Sequence, residues 1–220
     1  MPNDLTLWGV RTSRTMRAHW MLAEMGLEYE CRAIGSRTGE TLTPEFLKLN
    51  PRHKIPVLQH GSRTITESAA IAEYLSETFA PPADFYVPRS TAERAKLHEW
   101  CYFVATELDA AALYLIRKHK GLKDIYGEAP QAVTSAQKYF SDNLEAMEPM
   151  IVENGDFLFG DRFSIADILL MTCLDWAAIE GISLPHPIEQ YRRRVALRPA
   201  YSVALARNFP AELAINVRTT

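Results

Sequence analysis

Residues 5–26 read LTLWGVRTSRTMRAHWMLAEMG, and this stretch sets the fold class. LTLWGV (5–10) is a short apolar run of strand formers, followed by Arg11-Thr12-Ser13-Arg14, whose small hydroxyl residues suit a turn or a helix N-cap. From about residue 14 to 25 the side chains of Met16, Trp20, Met21, Leu22 and Met25 share one wide helical face, and Gly26 stands where a helix stop belongs. The order is strand, turn, helix.

Working outward, YECRAI (29–34) reads as a second strand and SRTGET as a loop. TPEFLKLNP is a short helix with Thr43 as cap and Pro44 in its first turn, ended by Asn50-Pro51. KIPVLQHG and SRTITES supply two short strands around Gly61, and ESAAIAEYLSETF is a helix closed by APP. Residues 1–80 thus form an α/β domain of order βαβ-α-ββα. Asp84 to Arg89, with Pro81, Pro82 and Pro88 close by, reads as a stiff polar linker over 81–90. Strand signals then stop. Residues 91–120, 130–154, 164–180 and 187–208 carry helical spacing, punctuated by Pro130, Gly155, Gly160, Gly181 and Pro199, so 91–220 is expected to be an all-α domain. The best-defined helix start is Phe163-Ser164-Ile165-Ala166-Asp167-Ile168, with Ser164 as cap, Asp167 completing a capping box, and Phe163 and Ile168 placed as a hydrophobic staple. That motif reads as a folding signal.

The 220 residues carry 24 basic and 27 acidic groups, a net charge of −3, so nothing points to nucleic acid or an anionic membrane surface. Residues 1–80 are neutral on balance, and the acidic excess belongs to the helical half. Cys31, Cys101 and Cys173 are odd in number and far apart, which argues against a disulfide framework or a structural metal and fits a reducing cytoplasm. MPNDLTLWG lacks the basic and apolar regions of a signal peptide. The longest apolar stretch, 165–182, is broken by Asp167, Asp175 and Glu180, so no membrane span is expected.

Three segments could carry chemistry. Arg11 to Arg17 stands at a strand-to-helix turn, where unpaired N–H groups and the helix dipole favour a carboxylate, phosphate or thiolate; alternatively Ser13 simply caps the helix and the arginines are solvated. In Arg52-His53-Lys54-Ile55-Pro56-Val57 a proline opens an apolar strand, either as a plain strand starter or as a cis-proline that turns the backbone of Ile55 toward a ligand. Thr66-Glu67-Ser68 opens another helix, where Ser68 could cap or could hold a ligand carboxylate.

Taken together, the S-x-x-x-R of Ser13 to Arg17, the N-P-R-H-K-I-P of Asn50 to Pro56, the E-S of Glu67-Ser68 and the F-S-I-A-D of 163–167 resemble the cytosolic glutathione transferase family, in order and over nearly the whole chain. The resemblance implies a thioredoxin-like first domain that binds glutathione as co-substrate, an α-helical second domain, and a cytoplasmic homodimer. By position, Ser13 matches the hydroxyl that stabilises the glutathione thiolate in the serine-type (theta, delta, zeta) classes, with Thr12 as the neighbouring alternative. His53 and Lys54 match residues at the glycine end of glutathione. Ile55 matches the residue that pairs through its backbone with the cysteinyl part, Pro56 the family's cis-proline, and Glu67 and Ser68 the grip on the γ-glutamyl group. A second, apolar and electrophilic substrate would meet Trp100, Tyr102, Phe103 and Thr106.

The first strand reads Leu7-Trp8-Gly9 where tyrosine-type classes carry their tyrosine, and no cysteine stands near Ser13, which disfavours thiol-transferase chemistry. The expected activity is therefore transfer of glutathione to an electrophile without a metal. The alternatives are isomerisation of the maleylacetoacetate type and a non-catalytic glutathione-binding or interaction module.

Overall fold

The computed structural model describes residues 4–211, so the outermost residues of the two expected domains, 1–3 and 212–220, lie outside the described residues. The chain divides into two units, one running through Ala83 and resumed from Leu197 onward, the other Asp84–Ala196.

In the first unit, strand β1 (Leu5–Trp8) leads to helix α1 (Ser13–Glu24), strand β2 (Glu30–Arg32), a 3-10 turn (Glu40–Leu42), helix α2 (Pro44–Leu49), strands β3 (Val57–His60) and β4 (Arg63–Thr66), and helix α3 (Ser68–Thr78). The sheet order is β2-β1-β3-β4, with β1 and β2 parallel and the other two pairings antiparallel. Leu5, Leu7, Val57 and Leu58 are buried in it, matched by Met16, Trp20, Met21 and Leu22 of α1 and by Ile71 and Leu75 of α3. Trp8 packs with Phe46, Ile55 and Val57 in one cluster. Its ring meets Phe46 edge-on at 5.9 Å and its indole N–H donates to Gln59 Oε1 at 2.6 Å, which satisfies the polar end of a buried ring.

The second unit contains helix α4 (Thr91–Phe103), a π-helical stretch (Val104–Leu113), helices α5 (Tyr114–His119), α6 (Lys123–Tyr126), α7 (Pro130–Glu153), α8 (Ile165–Ile179) and α9 (His186–Val195). Thus the helix expected over 91–120 is widened in its middle, where Tyr114 N–H bonds the carbonyl of Asp109, five residues back. Helix α8 is the core element. Its start is built as expected: Ser164 Oγ accepts from Asp167 N–H, and the Asp167 carboxylate returns to Ser164 N–H. No helix among the described residues is long and apolar enough to cross a membrane.

Two boundaries differ from the sequence expectation. Asp84 to Arg89 is not a polar spacer: Phe85 and Tyr86 are buried, Tyr86 N–H donates to Phe163 O at 2.7 Å, and Phe163 N–H donates to Asp84 O at 2.9 Å. The prolines stiffen this segment while its two aromatics tie it to the start of α8. The stretch 187–208, with helical spacing punctuated by Pro199, is two helices, and the second, helix α10 (Pro199–Asn208), belongs to the first unit and not to the expected helical domain. There it lies along α1. The Arg198 guanidinium forks onto the Glu24 carboxylate at 2.8 and 2.7 Å, the Trp20 indole N–H donates to the same carboxylate at 2.9 Å, and the Trp20 and Tyr201 rings meet edge-on at 4.9 Å.

Candidate active site

Strand register brings the three candidate segments to one edge. Trp8 pairs with Val57 and Val57 with Thr66, so the turn after β1, Pro56 before β3 and Glu67 after β4 leave the sheet side by side. Side chains then link them pairwise. A Cβ added to Gly9 would lie 2.5 Å from Ile55 Cβ, the Arg17 guanidinium donates to Ser68 Oγ at 3.3 Å, and Arg52 donates to Glu67 Oε1 at 2.8 Å and to Thr66 Oγ1 at 2.9 Å.

At the first turn, Thr12 rather than Ser13 is the N-cap. Thr12 Oγ1 accepts from Thr15 N–H at 2.9 Å, and Thr15 Oγ1 accepts from Thr12 N–H at 3.0 Å, a reciprocal capping box. Ser13 is the first helical residue and is half-buried. Among the described residues no hydrogen bond engages its hydroxyl or its N–H. The turn therefore ends in a side-chain donor and a main-chain donor at the positive end of α1. Arg17, expected to be solvated or to attract an anion, is instead 2% exposed and spans from α1 to the start of α3.

Gly9 has φ +112 and lies against the branched side chain of Ile55. Alanine there must adopt a left-handed conformation and displace Ile55, so Gly9→Ala is expected to destabilise the protein by about 2–4 kcal/mol, read from thermal or urea melts. Behind Gly9, His19 is buried, with Nε2 3.0 Å from Gly9 O and Nδ1 2.7 Å from Tyr29 OH. Burial raises the Tyr29 phenol, so Tyr29 donates to Nδ1 and the imidazole is the neutral Nε2–H tautomer that donates to Gly9 O. Burial holds His19 down to about 4. An unfolded histidine takes its proton near 6.5, so the contribution of His19 to stability is constant above that pH and is lost as pH drops toward 4, by about 3 kcal/mol in all. Melts at a series of pH values should show the stability gap between wild type and His19→Gln narrowing over that window.

At the second segment the Ile55–Pro56 bond is cis. Buried Asn50 shapes the preceding loop: its Nδ2 donates to Lys54 O at 2.8 Å and its Oδ1 accepts from Arg52 N–H at 3.1 Å. His53 and Lys54 are exposed, His53 has φ 57, and its Nδ1 lies 3.3 Å from Thr41 O. At the third, Glu67 has φ 67, a conformation that costs a non-glycine residue about 1–3 kcal/mol. No side chain caps α3, and Ser68 is buried at its first position.

Of the four residues expected to meet a second substrate, one is buried and three reach solvent. Trp100 is 2% exposed and packs edge-on with Phe103 at 6.2 Å, so it is a core residue of the helical unit. Tyr102 and Thr106 are exposed one turn apart, with Thr106 Oγ1 donating to Tyr102 O, and Phe103 is half-buried.

Residues 3–77 match the family described as Glutathione S-transferase, N-terminal domain, and residues 103–199 match Glutathione S-transferase, C-terminal domain. A relative from Drosophila melanogaster, glutathione S-transferase D7, is 31% identical over 191 residues, 84% of this chain and 81% of its own. The chain belongs to the glutathione S-transferase family. Human glutathione S-transferase theta-1 is 29% identical over 73% of this chain and 68% of its own. A theta class glutathione S-transferase from Xanthomonas axonopodis pv. citri, crystallised with glutathione bound, superposes with a TM-score of 0.77 at 27% identity, over 91% of this chain and 96% of that one. These relatives place the transferase reading ahead of the isomerase and the non-catalytic module.

Arg52 and Asn50 were legible only as parts of a motif. Their tasks, bridging to Glu67 and shaping the loop, come from contacts 15 and 4 residues along the chain.

Proposed function

We propose that this transferase binds glutathione along the edge formed by the three segments and that Ser13 stabilises its thiolate. The observation that carries the assignment is the division of labour between adjacent hydroxyls: Thr12 is committed to the cap, and Ser13 is left with an open donor. A free thiol has a pKa of about 8.5, so a hydrogen bond from Ser13 and the α1 N-terminus would raise the reactive fraction at neutral pH, each pKa unit corresponding to about 1.4 kcal/mol. The thiolate attacks an electrophilic carbon, the new C–S bond forms as the leaving group departs with the electron pair, and the thiol proton has already passed to solvent.

Ile55 pairs through its backbone with the cysteinyl part, beside the cis-proline Pro56. Glu67 takes the γ-glutamyl ammonium, and Ser68 with the uncapped start of α3 takes its carboxylate. In that assignment the strained backbone of Glu67 serves to present its side chain, and Arg52 orients the same carboxylate. His53 and Lys54 supply donors to the glycine carboxylate. Tyr102, Phe103 and Thr106 contact the second substrate, and Trp100 supports them from the core. The protein works as a cytoplasmic homodimer, for which sedimentation should return twice the 24.9 kDa chain mass.

Retention on immobilised glutathione, followed by turnover of aryl halides, isothiocyanates, hydroperoxides and maleylacetone, tests the function. Conjugation of at least one electrophile is expected. Retention without any turnover would contradict a transferase.

A further inference from the structure

The turn that carries Ser13 is held by a residue from the far end of the chain. Asn208, the last residue of α10, is 0% exposed. Its carboxamide Oδ1 accepts from Thr15 Oγ1 at 2.7 Å and from Arg11 N–H at 3.1 Å, while its Nδ2 donates to Thr12 O at 3.1 Å. Its backbone carbonyl also accepts from Arg11 N–H, at 2.9 Å. Arg11 stands at φ 67, so the residue under most backbone strain in this turn is the one Asn208 grips twice.

The proton count gives this grip a chemical consequence. Thr15 has one hydroxyl proton, and its acceptors are Asn208 Oδ1 at 2.7 Å and Thr12 O at 2.9 Å, so in either case it is not given to the Thr12 hydroxyl. With that proton committed to either acceptor, Thr12 is the donor in the 3.0 Å hydrogen bond between the Thr12 and Thr15 hydroxyls. Both threonine hydroxyls are then spent within the turn, and the Ser13 hydroxyl remains the open donor. The opposite end of α10 is fixed independently by the Arg198 fork on Glu24, so Asn208 is presented on a seated helix.

We propose that Asn208 is a positioning residue for thiol activation: it holds Arg11, Thr12 and Thr15 so that Ser13, and not Thr12, faces the sulfur. The inference rests on the assignment of Ser13 made above. It predicts that Asn208 acts on chemistry only through Ser13, whereas a purely structural residue would act regardless of it.

The test is a double-mutant cycle of Asn208→Ala and Ser13→Ala, with kcat, KM for glutathione, the ultraviolet titration of bound thiol and the melting temperature measured for all four proteins. Asn208→Ala is expected to lower kcat about tenfold and raise the bound thiol's pKa, with KM for glutathione changed less than about threefold. In the Ser13→Ala background it should change neither kcat nor the titration. Equal proportional losses in both backgrounds, or an unchanged kcat and titration in Asn208→Ala when Ser13→Ala alone is impaired, would overturn the positioning role and leave the Ser13 assignment standing. An unaltered Ser13→Ala protein would overturn both. Should Asn208→Ala fail to fold, Asn208→Asp keeps the acceptors for Arg11 and Thr15 and loses the donor to Thr12 O; in the same cycle, a loss that persists without the Ser13 hydroxyl overturns the proposal.

Discussion

Ser13→Ala is expected to lose about 10- to 100-fold in kcat while its affinity for glutathione changes by less than about threefold. A hydrogen bond to a charged partner is worth about 1.5–3 kcal/mol, and this one is strongest when the sulfur is ionised. Such a bond contributes to the reactive state more than to binding, so the loss appears in kcat. Thr12→Ala should behave differently. It removes the cap of α1, costs about 1 kcal/mol of stability, and leaves most of the turnover in the protein that remains folded. Steady-state kinetics alongside melts of the two variants separate them; full activity in Ser13→Ala with loss in Thr12→Ala would reassign the role.

The largest effect on stability is expected at Asp167. Its carboxylate is fully buried and accepts from Leu158 N–H at 2.8 Å, Tyr191 OH at 2.6 Å, Ser164 N–H at 2.9 Å and Ser164 Oγ at 2.5 Å. Burial raises its pKa, and the four donors oppose that rise. Burial and the neighbouring carboxylate raise the Tyr191 phenol well above its usual range, so it remains a donor. Asp167→Ala leaves four donors stranded in the core of the helical unit. At about 1–3 kcal/mol each, the loss is at least about 4 kcal/mol, a large part of the roughly 5–15 kcal/mol that holds a typical fold. The melting temperature should fall by at least about 8 °C. Asp167→Asn keeps the volume but turns an amide donor toward two other donors, and should lie between. A melt within about 2 °C of wild type for Asp167→Ala would contradict this account.

How much of this was legible beforehand follows from the range of each interaction. Strand and helix periodicity are local, so the βαβ-α-ββα order and the start of α8 at Ser164 could be read from residues a few positions apart. The choice between Thr12 and Ser13 as cap could not. It turns on Thr15, a short hydroxyl residue where a capping box usually shows Glu or Gln, so the signal was weak. Phe85 and Tyr86 lay hidden among prolines that masked two buried aromatics. Trp100 reads the same whether it lines a binding surface or fills a core, because one turn of helix presents both faces. Asn208 has no local signature at all: its partners Arg11, Thr12 and Thr15 lie 193 to 197 residues away. The return of α10 to the first unit is likewise a matter of tertiary packing against Trp20 and Glu24.

Activation of the glutathione sulfur by the start of α1, through Ser13, can be read from the sulfur itself. It is tested most directly by titrating the ultraviolet thiolate absorbance of protein-bound glutathione from about pH 5 to about pH 9, with Ser13→Ala beside the wild type. The wild-type midpoint is expected at least about one unit below the 8.5 of a free thiol and should move back toward that value in Ser13→Ala. A wild-type midpoint at the free-thiol value, or one that Ser13→Ala leaves where it was, would contradict it.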